Sequence, residues 1–263
     1  MALEVSTFGF GVAGALDHGV VRELAPRVEA AGFRTFWVND TPQGDALASL
    51  QVAAAVTSRI RLATGVISVD RRPPESIIDA VRARDLPIDR LVLGIGASTP
   101  PHPLARIARA IRDIKTGLNV PVVIGALGPK MRQLGIREAN GLLLNWLTPD
   151  GARSAMADRE RDVTEASQGT AEVGLYIRVA LGAEAGERLR SEADRYAAIP
   201  SYKANFARLG FRAIDTAVIG DSAKEIQTGL VAFAGTVDEP VVRAITAADT
   251  LPEYLVLLDA ITG

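Results

Sequence analysis

The chain has 263 residues, 48% of them hydrophobic, and its 29 lysines and arginines nearly balance its 31 aspartates and glutamates. It contains no cysteine and only two histidines, which excludes disulfides, thiolate chemistry and cysteine-ligated metal sites and argues against a metal centre built from several histidines. The mixed, nearly neutral charge argues against nucleic-acid binding. We therefore expect a small organic molecule as the ligand and no metal site.

The N-terminus lacks the basic region and long apolar segment of a secretory signal peptide. All apolar runs are shorter than the ~20 residues of a membrane span. These features predict a cytoplasmic protein that does not bind membranes. The length is close to the ~250 residues of one α/β barrel, and no linker or low-complexity segment interrupts the chain, so we predict a single domain over residues 1–263.

Short apolar runs alternate along the chain with stretches whose apolar residues recur every three or four positions, as in amphipathic helices. We predict strands at residues 5–10, 35–38, 61–69, 91–95, 120–124, 142–146, 172–181 and 241–246. Residues that cap or open helices mark several of the helices predicted between them: Asp17, Pro73-Pro74, Pro129, Thr148-Pro149, Ser222 with Glu225, and Thr250 with Glu253. Consecutive apolar residues, as in 120–124, are typical of parallel strands covered on both faces. The pattern predicts a (β/α)8 TIM barrel, with a doubly wound sheet as the alternative.

In such a barrel the active site forms where the strands end. The segments at those ends are 39–41, 65–68, 94–98, 125–128, 145–146 and the residue Arg178. Several of them hold small or polar residues where a core would need branched apolar ones. Ordinary turn chemistry explains each segment taken singly, but their occurrence together favours a binding site.

Residues 125–131 (GALGPKM) lead from a strand into a helix that begins with proline. Free N–H groups at a helix start bind anions, and Lys130 adds a cation, so a cofactor phosphate suits this place. The alternative is a plain tight turn, since Pro129 has no N–H to offer. Residues 94–96 (GIG) do not form a dinucleotide motif, because the third glycine is missing and the strand is not the first of the chain.

Few polar residues at the strand ends suggest chemistry on their own. Asp40 could accept a hydrogen bond from a ligand, or it could cap its own loop. Arg71 and Arg72 are either contacts for an acidic ligand tail or part of a solvated face. Neither His18 nor His102 has an evident acid–base partner, and no nucleophile with an activating base is visible, so no catalytic residue is assigned.

Three stretches resemble the luciferase-like monooxygenase superfamily, in particular its branch that uses the deazaflavin coenzyme F420. They are residues 33–40 (FRTFWVND), 53–66 (AAAVTSRIRLATGV) and 126–131 (ALGPKM). The middle stretch is the most specific, because the pattern A-x-T-x-R-I-x-L-x-T-G-V recurs in that family at the second helix and third strand. The resemblance covers roughly the first 150 residues and continues beyond them only in the rhythm of the elements. It implies a (β/α)8 barrel, in agreement with the pattern above.

The resemblance also implies which residues bind the cofactor. Gly65 and Val66 match the position of a non-prolyl cis peptide bond against which the three-ring cofactor stacks. Asp40 matches a cofactor-contacting aspartate, and Ser68 matches a hydroxyl near the ring. The backbone cradle for the cofactor's side chain and phosphate corresponds to Ala126, Leu127, Gly128, Lys130 and Met131.

The chain departs from this branch of the superfamily at two positions. Thr41 stands where some deazaflavin dehydrogenases have a histidine, and loop 97–101 lacks the glutamate that those enzymes carry after the fourth strand. The stretch after the fourth strand also leads almost directly into a helix. We therefore expect reduced insertions and an open mouth, without the usual acid and base.

These observations predict an oxidoreductase that transfers a hydride between coenzyme F420 and a small organic substrate, with the protein orienting the ring rather than supplying a nucleophile. The alternatives are an FMN-dependent luciferase-like monooxygenase and a non-catalytic cofactor-binding or scaffolding paralogue. The resemblance further implies a homodimer.

Overall fold

The computed structural model describes residues 3–97, 101–165 and 171–263. Its strands are β1 (Gly9–Ala13), β2 (Thr35–Asn39), β3 (Arg61–Thr64), β4 (Ile67–Ser68), β5 (Leu91–Gly96), β6 (Val122–Gly125), β7 (Gly141–Asn145), β8 (Glu172–Leu181), β9 (Val218–Gly220) and β10 (Glu239–Ile245). Its α-helices are α1 (His18–Ala30), α2 (Ala46–Ala54), α3 (Pro74–Ala83), α4 (Pro103–Gly117), α5 (Pro129–Glu138), α6 (Pro149–Glu165), α7 (Ala183–Ala198), α8 (Pro200–Leu209), α9 (Ala223–Val231) and α10 (Leu251–Thr262).

Eight parallel strands close into a barrel in the order β1, β2, β3, β5, β6, β7, β8 and β10. Strand β10 closes the ring, because it pairs with β1 on one side, where Val241 lies opposite Gly9, and with β8 on the other, where Arg243 lies opposite Arg178. Strand β4 pairs with β5, and β9 lies beside the end of β8 outside the ring. The predicted (β/α)8 barrel is confirmed, and the doubly wound alternative is wrong because an open sheet would leave two unpaired edges.

Apolar side chains form one core between the barrel and its helices and another inside the barrel. The inner core contains Trp37, Ala63, Val92, Val123, Leu143, Tyr176 and Val241. At the N-terminal end of the barrel, Trp37 Nε1 donates a hydrogen bond to Glu239 Oε1 at 3.1 Å. The lower part of the barrel is thus filled by side chains, as is usual for this fold.

Most of the predicted strand boundaries shift by one or two residues in the structure, and two strands differ more. Residues Val5–Thr7 form a 3-10 turn, in which the Thr7 N–H donates to the carbonyl of Glu4 at 3.1 Å, so that the first strand begins only at Gly9. The strand predicted at 61–69 is divided into β3 and β4 by residues 65 and 66.

The capping residues act as predicted. Asp17 Oδ1 accepts a hydrogen bond from the Gly19 N–H at 2.7 Å at the start of α1, and Thr148 Oγ1 accepts one from the Gly151 N–H at 3.2 Å at the start of α6. Each bond satisfies an N–H that the helix itself leaves without a partner.

The connections at the C-terminal end of the barrel differ in length. Only residues 97–102 separate β5 from α4, and residues 98–100, which include the end of the predicted segment 94–98, lie outside the described residues. Two helices, α7 and α8, follow β8 before the chain reaches β9. Within the described ranges, no helix combines the length and apolar character needed to cross a membrane.

Candidate functional site

A cavity of about 610 Å³ opens at the C-terminal end of the barrel, within the size range of small-molecule sites. Strand ends from β4 to β8 form its floor and walls, and helix α8 lies against it. Most of the residues that the resemblance assigns to the cofactor line this cavity, namely Gly65, Val66, Ser68, Ala126, Leu127, Gly128 and Met131.

The floor of the cavity is built by Gly65 and Val66, which are joined by a cis peptide bond as the resemblance implied. Glycine is required at two positions here, because any larger residue would collide with a neighbouring side chain. A Cβ on Gly65 would lie 2.1 Å from the Tyr176 hydroxyl oxygen, and one on Gly96 would lie 2.8 Å from Val66 Cγ2. The missing side chains therefore let Val66 and Tyr176 fill the top of the barrel and leave the space above them open.

Tyr176 places a polar group at this floor. Its side chain is buried, its ring packs edge-on against Trp37 with the ring centres 6.0 Å apart, and its hydroxyl has no hydrogen-bond partner within the described residues. Burial raises the pKa of Tyr176 far above the ordinary value, and the positive charges of Arg243 and Arg178 offset this only in part. The hydroxyl is therefore protonated at physiological pH and is able to donate a hydrogen bond.

One wall of the cavity is held by a buried ion pair. Arg178 Nε donates to Glu192 Oε1 at 2.9 Å, and the Arg178 guanidinium also donates to the amide oxygen of Asn145. Asn145 and Tyr202 both line the cavity. Burial raises the pKa of Tyr202 to about 12, so this wall presents neutral polar groups to a ligand.

The start of helix α5 supplies free donors at the other end of the cavity. The Ala126 N–H is used, since it donates to the carbonyl of Leu143 at 3.2 Å. The N–H groups of Leu127 and Gly128 have no acceptor among the described residues. Neither do those of Lys130 and Met131 in the first helical turn, as is usual at a helix start. Such N–H groups attract an anion.

Two arginines stand next to these donors. Arg208, on α8, lines the cavity and donates to Asn205 Oδ1 at 2.6 Å, while the amide nitrogen of the nearly fully buried Asn205 has no partner within the described chain. Arg132, on α5, has a buried Nε without a partner there. Burial and the neighbouring charge of Arg208 lower the pKa of Arg132, while Asp158 raises it. Positively charged and neutral hydrogen-bond donors thus lie together at this end of the cavity. A bound anion would reduce the electrostatic repulsion between the two arginines.

The other two predicted cofactor residues, Asp40 and Lys130, do not line the cavity. Asp40 Oδ2 lies 2.7 Å from Arg71, and its other oxygen accepts a hydrogen bond from the Ala46 N–H at 3.3 Å. Burial raises the pKa of Asp40, although Ala46 and Arg71 oppose the shift. Lys130 is solvent-exposed on the first turn of α5. Their role in binding stays a prediction.

The cavity offers few groups for acid–base chemistry. None of the described residues that line it is an aspartate, glutamate, histidine or lysine. Nor do the described ranges contain a group of three or more metal-ligating side chains.

Sequence reasoning missed several residues of the site, chiefly Tyr176, Tyr202, Asn205 and Arg208. For Tyr176 a signal existed, because it lies two positions before Arg178, and residues two apart on a strand share a face. For the three residues on α8 no signal existed, since the pattern of a surface helix does not tell which part of the barrel it covers.

The chain thus forms a parallel barrel with a cavity at its C-terminal end. A cis peptide bond lies at the floor of this cavity, and a helix start whose N–H groups attract an anion lies at its mouth. The model of the luciferase-like monooxygenase family matches residues 7–113. The resemblance predicted from the sequence is thereby confirmed over that part of the chain, which is less than half of it, and the fold is the (β/α)8 barrel that the resemblance implied. No curated protein matches the chain in sequence.

Solved structures share the fold over nearly the whole chain. The coenzyme F420-dependent tetrahydromethanopterin reductase from Methanopyrus kandleri superposes with a TM-score of 0.72 at 17% identity, covering 97% of this chain and 96% of its own. An F420-dependent secondary alcohol dehydrogenase in complex with an F420–acetone adduct gives 0.73 at 14% identity, covering 97% and 99%. The oxygenating constituent of 3,6-diketocamphane monooxygenase from Pseudomonas putida, in complex with FMN, gives 0.66 at 10% identity, covering 97% of each chain.

Proposed function

We propose that this protein is an oxidoreductase that binds the deazaflavin coenzyme F420 in the cavity and transfers a hydride between it and a small organic substrate. The observation that carries the proposal is the division of the cavity into two ends. One end has an apolar floor with a single unpartnered hydroxyl, and the other brings together N–H groups without an acceptor, the side chain of Arg208 and the unpartnered Nε of Arg132. This division fits a molecule with a flat ring system and an anionic arm.

The residues present fit such a cofactor in three respects. The cavity volume of about 610 Å³ is large enough for a drug-sized molecule. The hydroxyl of Tyr176 and the amide nitrogen of Asn205 are buried donors without partners. A hydrogen-bond acceptor on a ligand would reduce the free-energy cost of burying them. The open space beside Gly128, where an added Cβ would meet nothing within 4 Å, lets a ligand approach the backbone closely.

Each end of the site has its own task in the proposed reaction. When bound, the cofactor supplies the hydride chemistry itself. Gly65 and Val66 support the ring from below, and the N–H groups of Leu127 and Gly128 together with Arg208 hold the anionic arm. The neutral wall of Asn145 and Tyr202 faces the substrate. With the arm fixed at one end, the ring is oriented at the other, which is the contribution that proximity and orientation make to catalysis.

Two alternatives differ in chemistry. An FMN-dependent monooxygenase is supported by the FMN-containing neighbour of the same fold, whereas two other neighbours are F420-dependent by name. A non-catalytic cofactor-binding protein is favoured by the lack of an acid or base among the described lining residues. The homodimer expected from the resemblance stays a prediction, which sedimentation would check.

The test is a fluorescence titration of the purified protein with coenzyme F420 and with FMN. Each is paired with a form that lacks the phosphate, namely the deazaflavin without its arm, and riboflavin. We expect coenzyme F420 to bind most tightly and each phosphate-free form to bind at least about tenfold more weakly, because charge-assisted hydrogen bonds contribute ~1.5–3 kcal/mol. Binding of neither cofactor would overturn the proposal. Tight FMN binding alone would favour the monooxygenase, and F420 binding without turnover of a broad acceptor panel would favour the non-catalytic protein.

A pair of variants locates the anionic arm. Arg208→Ala should weaken coenzyme F420 binding by about fivefold or more, equivalent to about 1 kcal/mol, and should reduce the salt dependence of binding. Lys130→Ala tests the sequence-based assignment of the phosphate contact. If Lys130→Ala leaves affinity unchanged while Arg208→Ala lowers it, the arm is held on the α8 side. If neither changes affinity, the placement of the arm is wrong.

A further inference from the structure

The hydroxyl of Tyr176 is buried and has no hydrogen-bond partner within the described residues. Tyr254, for comparison, is also buried, but its hydroxyl donates to Asp249 Oδ1 at 2.7 Å. A buried hydroxyl without a partner lowers stability, because it has lost its hydrogen bonds to water. Such a group calls for an explanation, and an acceptor on a bound ligand would supply one.

The backbone around Tyr176 is arranged to keep its side chain in this position. A Cβ on Gly11 of β1, which is separated from β8 by β10, would lie only 3.0 Å from Tyr176 Cε1, and one on Gly65 would lie 2.1 Å from the hydroxyl oxygen. Trp37 packs edge-on against the ring from below. Glycine on two sides therefore admits the ring of Tyr176, a residue that lines the cavity, and places its buried hydroxyl beside Gly65.

We propose that the Tyr176 hydroxyl donates a hydrogen bond to a ring carbonyl oxygen of the cofactor that lies on Gly65 and Val66. The inference rests on the proposed function, since it requires a ring at that floor. Flavin and deazaflavin rings both carry carbonyl oxygens, so the bond serves either cofactor. The hydroxyl adjoins Gly65, so a molecule that rests on Gly65 and Val66 lies nearer to it than a molecule stacked above. Tyr176 is in this account a binding residue that fixes the in-plane orientation of the ring.

The test compares Tyr176→Phe with Tyr254→Phe, two variants that remove one buried hydroxyl each. For Tyr176→Phe we expect the affinity for oxidised coenzyme F420 to fall about fivefold. We also expect the visible absorption band of the bound cofactor to shift relative to that of the wild type. The Tm of the ligand-free protein should stay the same or rise. For Tyr254→Phe we expect the reverse, a lower Tm with unchanged affinity and absorption, because its hydroxyl has a protein partner and neither residue lines the cavity.

The outcomes separate the two claims. If the wild type and Tyr176→Phe bind the cofactor equally, with the same absorption band, the role of Tyr176 is refuted and the proposed function stands. If the wild type binds neither coenzyme F420 nor FMN, both are refuted. A lower Tm of the ligand-free Tyr176→Phe protein would also contradict the inference, since it would show that the hydroxyl is satisfied without a ligand.

Discussion

The guanidinium carbon of Arg178 lies 3.6 Å from the centre of the Trp146 ring, and both side chains are almost fully buried beside the cavity. The same guanidinium carbon lies 5.1 Å from the ring centre of Tyr196, and its charge is compensated by Glu192. A planar cation that stacks on aromatic rings while it pairs with a carboxylate is an arrangement that arginine makes and lysine does not. This cluster attaches α7 to the end of β8 and so supports the wall of the site.

Replacing Arg178 should therefore cost much of the protein's stability. Arg178→Ala leaves Glu192 largely buried without its cation, and breaking a buried pair in this way costs about 3–5 kcal/mol. Arg178→Lys should recover only part of the loss. The measurement is the free energy of unfolding in urea, with Arg109→Ala as the control, because Arg109 forms a surface pair with Asp113 in which the arginine side chain is 80% exposed. The control should change stability by less than about 1 kcal/mol. Equal effects of Arg178→Ala and Arg109→Ala would contradict the assignment.

Glu29 anchors the motif that carries most of the family resemblance. Its Oε1 accepts hydrogen bonds from the backbone N–H groups of Ser58, Arg59 and Ile60 at 2.9, 2.7 and 2.9 Å. Burial by itself would raise the pKa of Glu29, but the three N–H groups and the charge of Arg59 outweigh it and lower the pKa below its usual value.

A lowered pKa makes the contribution of Glu29 depend on pH. The stability it adds is present above the unfolded-state pKa of about 4.5 and is lost as the pH falls through the folded-state pKa. We expect Glu29→Gln to lower the free energy of unfolding by about 1–2 kcal/mol at neutral pH, and the difference from the wild type to shrink below about pH 4. A difference that is constant with pH would mean that the charge of Glu29 has no part in it.

Glu239 should show the opposite pH dependence. It is 1% exposed inside the barrel, and burial raises its pKa despite the hydrogen bond from Trp37. The folded protein therefore keeps this proton at pH values where the unfolded chain has lost it, and stability declines as the pH rises from about 4.5 to the folded-state pKa. Glu239→Gln should remove that decline. Unfolding free energies of both proteins from acidic to neutral pH test this, and parallel curves would contradict it.

Gly210 ends helix α8, which forms part of the cavity wall. Its φ is +78°, in the left-handed region, and its N–H donates to the carbonyl of Phe206 at 2.8 Å. A Cβ there would meet nothing within 4 Å, so the cost of Gly210→Ala lies in the backbone alone, about 1–2 kcal/mol. Hydrogen exchange should find the amides of α8 less protected in this variant. Unchanged protection and unchanged stability would show that the helix end does not require glycine.

The architecture could be predicted from the sequence because the patterns that mark strands and helix starts involve residues close together in the chain. Apolar runs defined the barrel strands, and short-range signals such as Asp17 and the Thr250–Glu253 capping box placed the helix starts, which the structure confirms. The short strand β9 was missed, because the three residues Val218–Gly220 carry too little pattern to stand out.

The site was only partly predictable because much of it is made by contacts between distant parts of the chain. The floor at Gly65 and Val66 was found through a motif. The cationic end was attributed to Lys130 because it follows the helix start directly, whereas Arg132 and Arg208 come together only when α8 folds beside α5. Strand β8 is buried along most of its length, so burial did not distinguish its two faces, and the one available signal for Tyr176, its spacing of two from Arg178, was not used.

A crystal structure of the protein with oxidised coenzyme F420 would test the central claim most directly. The account predicts the ring system on Gly65 and Val66, with a ring carbonyl within hydrogen-bond distance of the Tyr176 hydroxyl. It also predicts the phosphate beside the N–H groups of Leu127 and Gly128, within reach of Arg208. A cofactor bound elsewhere on the molecule, or one whose phosphate points away from the start of α5, would contradict it.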